Sequence, residues 1–299
     1  MLISLTQSLF FFFTLFCIAR MNFAGPFDLG IYGAVNNWFI KLRGFATSVT
    51  TFIQMTGLMA MPLIAQACIQ YDGWRFGWVI IGTTVLFIGF LPNFLLMVRK
   101  PEDLDLLPDG DHQSLNGNDE NNTNLKNNKI PEPVFTRNEA LKTKAFWVLS
   151  VYTIFVFPVQ AGISLHQAPH LIERGIEPYI TATIVATFSL FSALSGMVFG
   201  LIVRKITIRF SLFSAALCLA FSSTIMIFIS VPWQGYLAAA FFGTGIGGIL
   251  TILPIAWADF FGRTSFGAIR GVALFFQVTA QASGPLMSGV LRDFSGDFY

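Results

Sequence analysis

Residues 180–203 read Ile-Thr-Ala-Thr-Ile-Val-Ala-Thr-Phe-Ser-Leu-Phe-Ser-Ala-Leu-Ser-Gly-Met-Val-Phe-Gly-Leu-Ile-Val, a stretch without a charge that ends against Arg204-Lys205. About 20 helical residues cross the roughly 30 Å of hydrocarbon in a bilayer, so the stretch is long enough to span one. Its apolar residues are not held to the three-to-four spacing of a half-buried soluble helix; a helix made of it is apolar all round and wants lipid. Gly196 and Gly200 put small residues one turn apart, as Gly243 and Gly247 do further on. That spacing lets helix backbones approach closely.

Outward from this segment the same kind of run recurs. Eight are marked, at residues 8–40, 45–69, 74–98, 146–166, 180–203, 207–229, 236–261 and 272–291. The first is too long for one straight crossing and contains Arg20, Gly25-Pro26 and Asp28. It reads as one bent helix hinged at Gly25-Pro26, with two shorter crossings meeting near Arg20 as the alternative. Composition agrees: 54% of residues are hydrophobic and 11% charged, against roughly a quarter charged in a soluble domain. The expected fold class is all-α, a polytopic membrane helical bundle.

Composition also narrows the function. The net charge of +2 comes with no basic stripe outside short loops, which argues against a nucleic-acid partner. Cys17, Cys68 and Cys218 lie in separate apolar runs, with neither metal-ligand spacing nor a disulfide framework. No His-Glu-x-x-His helix, Gly-x-Ser-x-Gly elbow or phosphate-binding glycine loop is found, so no enzyme chemistry, cofactor or metal is expected.

Residues 101–144, rich in Asn, Asp and Glu and poor in aromatics, read as a disordered linker between residues 1–100 and 145–299. Asn121-Asn122-Thr123 within it matches a glycosylation acceptor that any Asn-rich segment produces by chance. Lys41, Arg43, Lys142, Lys144, Arg204, Arg209, Arg263 and Arg270 fall on one face of the bundle, and Arg75, Arg174 and Arg292 on the other. The first face, with the linker, is expected to be cytoplasmic, in a plasma or inner membrane. With that orientation an odd number of helices is expected before Met1. Arg43-Gly44 followed by Gly57, and Arg270-Gly271 followed by Gly284, have identical spacing at the same point between two helices. Two parallel halves of a transporter are the plan this suggests.

Trp38-Phe39-Ile40-Lys41-Leu42-Arg43-Gly44-Phe45-Ala46 is similar to the aromatic-basic-Arg-Gly-x-Ala turn between helices four and five of the major facilitator superfamily, and Gly73-Trp74-Arg75 resembles the opening of helix six. Trp257-Ala258-Asp259-Phe260-Phe261-Gly262-Arg263 with Gly267 and Arg270-Gly271 resembles the turn after helix ten; Ser283-Gly284-Pro285-Leu286 with Gly289, Asp293, Gly296 and Tyr299 resembles the end of helix eleven. The resemblance covers nearly the whole chain and extends to the branch of monocarboxylate porters and oxalate/formate-type antiporters. It implies two pseudo-symmetric halves and twelve crossings, of which this chain would hold helices four to eleven. Two departures stand out. Val203 stands in the acidic place of the family's loop motif, before Arg204 in Gly200-Leu201-Ile202-Val203-Arg204, and residues 180–203 and 272–291 lack the cation that anion porters carry there.

An ionised side chain at mid-bilayer costs at least about 2.5 to 3.5 kcal/mol and normally faces a cavity or a partner. Arg20 resembles the arginine that superfamily members carry in helix four; read by itself it is equally a snorkelling arginine. Asp28, about 12 Å further along the axis, reads as a protonatable coupling site or as the cap of a helix restarting after Gly25-Pro26. His166, near Gln160, Gln167 and His170 at the outer end of its helix, reads as a proton relay or as an interfacial residue. Gln277 and Gln281 share a helix face, and Gln54 sits in the corresponding helix of the other half; the three suit a polar, uncharged cavity lining. Arg43, Gly44, Arg204, Asp259, Arg263, Arg270 and Gly271 are the gating candidates. The function expected is secondary active transport of a small solute, a monocarboxylate or related organic anion, by alternating access coupled to a proton or ion gradient. The alternative is a non-transporting membrane sensor or scaffold, or an inactive transporter fragment.

Overall fold

The computed structural model describes residues 2–98, 100–104, 106–110, 133–203 and 205–295. Those residues form helices and turns and no strand. Eight helices carry the fold: α1 (Leu9–Trp38), α2 (43–71), α3 (74–96), α4 (Lys144–Glu173), α5 (Pro178–Ile202), α6 (Ile208–Ile227), α7 (Pro232–Phe261) and α8 (Phe266–Ser295).

α1 is the single bent helix. Its hinge is a π-helical turn, Phe23–Phe27, around Gly25-Pro26: proline has no N–H to give to the i−4 carbonyl and its ring presses on that turn, so the helix widens locally and does not stop. Asp72 and Gly73 leave helical geometry between α2 and α3, with Gly73 at φ 79° and ψ 177°, a conformation open mainly to glycine. Gly262, at φ 75°, ends α7. Thr143 caps α4 by accepting from the Phe146 N–H, after a short helix, Arg137–Leu141, that opens with a Thr136/Glu139 capping box.

Eight runs were expected, and eight helices of spanning length are present among the described residues, but only six spans are apolar enough to cross a membrane by length and composition. α8 falls short of that measure: it carries Arg270, Gln277, Thr279 and Gln281, which dilute its hydropathy. One of the six spans, Ala67–Leu96, straddles the Asp72–Gly73 break. α4 runs past 166 to Glu173, because proline is tolerated in a membrane helix and Pro169 does not end it.

α7 is the centre of the bundle: 78% of its spanning window is buried, against 0% for α1 and for Ala67–Leu96. It packs on α5 and α6, while α8 packs on α4. Trp257, Phe146 and Phe261 form a buried aromatic knot with ring centroids 5.5 to 6.4 Å apart. Across the halves, α2 lies on α5. A Cβ on Gly44 would meet the Gly200 carbonyl oxygen at 2.6 Å, and one on Gly200 would meet Ser48; only glycine permits this crossing.

The ends of the connecting segment are built onto the bundle. Residues 105 and 111–132, with Asn121-Asn122-Thr123, lie outside the described residues.

Candidate functional site

The features that join the two halves gather where the chain enters α2 and α8, the end of the bundle that also receives the linker. Arg43 is the first residue of α2 and Asp259 lies in the last turn of α7. Their side chains meet at 2.6 Å, with Arg43 5% and Asp259 45% exposed. Arg270, in the second turn of α8, reaches the other way: its Nη2 donates to Asp28 Oδ2 of α1 at 2.7 Å, and its guanidinium stands 5.0 Å from the Tyr32 ring centroid and 5.9 Å from that of Phe266. The two Arg-Gly turns of the sequence repeat thus grip opposite halves reciprocally. Arg263, in the α7–α8 connection, donates to the Asn37 carbonyl at 3.0 Å and to Glu102 at 2.7 Å.

Linker residues close over the same place. Asp109 accepts from three consecutive backbone N–H groups, Ile40 at 3.1 Å, Lys41 at 2.7 Å and Leu42 at 3.0 Å, in the turn before Arg43. Successive N–H groups turned one way form an anion-binding concavity, filled here by a carboxylate of the chain itself. Asp109 adopts φ 65° to do so, a region Asp tolerates better than most residues. Trp38 Nε1 donates to the Val98 carbonyl at 3.1 Å. On the other half the Pro133 carbonyl sits against Gly262, and Phe135 packs edge-on to Phe261 at 5.7 Å. Partial burial pushes the Glu102 carboxyl up, but hydrogen bonds from its own backbone and from Arg263, with the pull of Arg263 and Lys100, outweigh it and hold the group below its usual range.

The cluster of contacts between the halves carries unmet bonding capacity. Asn36 is 1% exposed, and neither its amide nitrogen nor its amide oxygen has a protein partner; nor do Nε and Nη1 of Arg270. Such groups make this arrangement less favourable than its contacts suggest.

The expected residues separate into two groups. Arg43, Asp259, Arg263 and Arg270 belong to the cluster that joins the halves. So does Asp28, whose carboxylate accepts from Arg270; it caps no helix, because α1 continues through the π-turn and Asp28 makes no capping bond there. Gly44 is pinned at the α2–α5 crossing, whereas a Cβ on Gly271 would find only Leu29 Cδ1 at 3.9 Å. Arg204 lies outside the described residues. Among the pathway candidates, Arg20 is exposed on α1 with its guanidinium 5.8 Å from the Phe23 ring centroid. Gln54 lies 3.5 Å from the Tyr32 hydroxyl. Gln281 Nε2 donates to Gln160 Oε1 at 3.1 Å, joining α8 to α4, and Gln277 is half-buried one turn before it. His166 is inside α4, not at its end; its neighbour His170 donates from Nε2 to the Met226 carbonyl at 2.9 Å and so fastens α4 to α6. Two cavities, of about 400 and 280 Å3, open elsewhere, one between α5 and α6 and one beside Trp38, and neither is lined by these residues.

Sequence reasoning missed Tyr32, Asn36, Glu102 and Asp109. Only Pro108-Asp109-Gly110 carried a signal, that of a turn; its tie to Ile40, Lys41 and Leu42 spans a separation no local pattern reports.

With this geometry in view, the chain compares with known proteins as follows. The model of the Major Facilitator Superfamily matches residues 1–285. A curated protein of Salmonella typhimurium strain LT2, named membrane sensor protein UhpC, is 26% identical over 245 residues, which is 78% of this chain and 53% of that protein. The chain spans about half the length of that relative.

Proposed function

Because the chain belongs to the major facilitator superfamily and is an integral, multi-pass membrane protein, we propose that it forms the larger part of a secondary transporter that moves a small solute by alternating access. The observation that carries this reading is the reciprocal pairing of Arg43 with Asp259 and Arg270 with Asp28. Each pair joins one half to the other at one end of the bundle, and both must part for that end to open. Rocking of two halves about a central site is the transport cycle such a plan serves. Arg43, Gly44, Arg204, Asp259, Arg263, Arg270, Gly271 and, newly, Asp28 act in gating; Arg20, Gln54, His166, Gln277 and Gln281 line the solute pathway. The linker face is cytoplasmic, in keeping with its excess of Lys and Arg. The solute is an organic anion, a monocarboxylate in the first instance, coupled to a proton or another ion, which rests on the branch resemblance alone. The test is uptake of labelled monocarboxylates by proteoliposomes under an imposed proton gradient. Accumulation that falls at least tenfold in Arg270→Gln supports the reading, and no accumulation of any tested anion removes the substrate.

A second reading is that of a membrane sensor, favoured by the name of the Salmonella relative, a membrane sensor protein. A sensor binds its solute and changes shape without accumulating it. Solute-dependent protection of the latch from proteolysis, in a protein that transports nothing, supports that reading over the first.

A further inference from the structure

The cavity of about 400 Å3 between α5 and α6 has walls that are apolar along their length, with Phe191, Leu194, Val198 and Ile202 on α5 and Ile206 and Phe210 at the approach to α6. Three of the hydroxyls in its wall bond to backbone carbonyls: Ser195 donates to the Gly243 carbonyl at 3.3 Å, Ser214 to that of Ser211 at 2.9 Å and Thr244 to that of Ala240 at 2.8 Å. Such a wall asks little that is polar of an occupant. From Phe191 to Ile202 the groove follows α5 for about 16 Å at 1.5 Å per residue, which matches one leaflet, half of the roughly 30 Å hydrocarbon layer. Its Ile202, Ile206 and Phe210 end lies towards the linker end, where Gly200 meets Gly44 and where Lys205 and Arg209 directly precede Ile206 and Phe210 and are exposed. Residues 203–211 contain no acid.

We propose that this groove is a binding site for an anionic phospholipid of the linker-side leaflet, with an acyl chain laid between α5 and α6 and the headgroup phosphate held by Lys205 and Arg209. Depth and apolar walls select the chain, and the two cations select the charge. The site bears on the gate. Val198 and Ile202 face the groove, and Gly196 and Gly200, two residues before each, face α2 and α7; at about 100° per residue these are opposite sides of α5. A lipid in the groove supports α5 from behind, at the level where Gly200 meets Gly44.

The experiment offers the full chain an equimolar mixture of phosphatidylglycerol and phosphatidylcholine in nanodiscs, releases it, and counts the retained lipids by native mass spectrometry. Two cations near the surface predict a preference for phosphatidylglycerol of roughly twenty- to thirtyfold. Lys205→Gln and Arg209→Gln each reduce it about fivefold, and together they abolish it, with helicity and detergent melting unchanged. Ser214→Phe, which fills the groove, removes retained lipid of both kinds. Equal retention of the two lipids by the unaltered chain overturns the proposal, as does a double variant that keeps its preference. Retention of lipid by Ser214→Phe also overturns it, since cations alone would then explain the attraction.

Discussion

Arg43 and Asp259 each stand where their own helix disfavours them: a cation at the positive N-terminal end of α2 and a carboxylate at the negative C-terminal end of α7. Pairing removes both penalties together, so either residue alone is worse than neither. The pair should show this as coupling. Because Asp259 is nearly half exposed, its worth lies near the upper end of an exposed pair, about 1 kcal/mol, and below the about 3–5 kcal/mol of breaking a fully buried one. In a double-mutant cycle of Arg43→Gln and Asp259→Asn, read by thermal unfolding in detergent, each single variant is expected to lose more than the double variant implies by addition, with a coupling of about 1 kcal/mol; strict additivity would show that the pair does nothing. The two repeat-related glycines should differ for a steric reason. Gly44→Ala drives a methyl into the Gly200 carbonyl and is expected to cost about 1–3 kcal/mol, whereas Gly271→Ala meets open contact with Leu29 and should stay within about 0.5 kcal/mol. Equal melting temperatures for the two variants would contradict the α2–α5 crossing. The shared Arg-Gly motif was legible in the sequence, but the difference between its glycines was not, because it depends on what lies opposite each one.

Among the elements, the helices were legible because hydrophobic runs of spanning length report themselves, and Gly25-Pro26 marked the bend of α1 correctly. Boundaries set by polar contacts were not. α4 continues beyond His166 because Pro169 is accommodated and His170 finds the Met226 carbonyl, neither of which a hydropathy pattern records. The linker ends were obscured in the same way, since their Asp- and Glu-rich composition looks unstructured until Glu102 is seen on Arg263 and Asp109 on the α1–α2 turn. The strap they form should respond to acid. The folded chain holds the Glu102 carboxyl below its usual range; its contribution is therefore present at neutral pH, where folded and unfolded states are both ionised, and disappears as pH falls through the folded value. Proteolysis within residues 101–110, followed from pH 7 to pH 3.5, is expected to accelerate on acidification, and Glu102→Gln should be cut faster at neutral pH with a weaker acid response. An acid response identical in the two proteins would show that another group fastens the strap.

For the whole molecule the decisive property is reciprocity. One half lends Arg43 and takes Arg270, and the other lends Arg270 and takes Arg43; in the proposed cycle both contacts part together. The sequence disclosed half of this arrangement, the matched Arg-Gly turns; it could not disclose their partners, because Asp28 and Asp259 occupy different places relative to the repeat and each lies in the opposite half. The joint is also imperfect, with Asn36 buried and its amide unbonded, which supports the proposed gate over a permanent joint. Asn36 offers a direct reading of that balance. A cysteine introduced by Asn36→Cys is shielded while the latch is shut and becomes reachable from the linker side when it opens. Labelling by a membrane-impermeant maleimide is expected to be slow in that single variant, and to accelerate by roughly tenfold when Arg43→Gln and Arg270→Gln are added, the factor that corresponds to about 1.4 kcal/mol removed from the closed state. Acceleration by either arginine substitution alone should be smaller than by both. If the latch variants label no faster than the parent, the two ion pairs do not hold the halves together, and the gating role of both Arg-Gly turns fails with them.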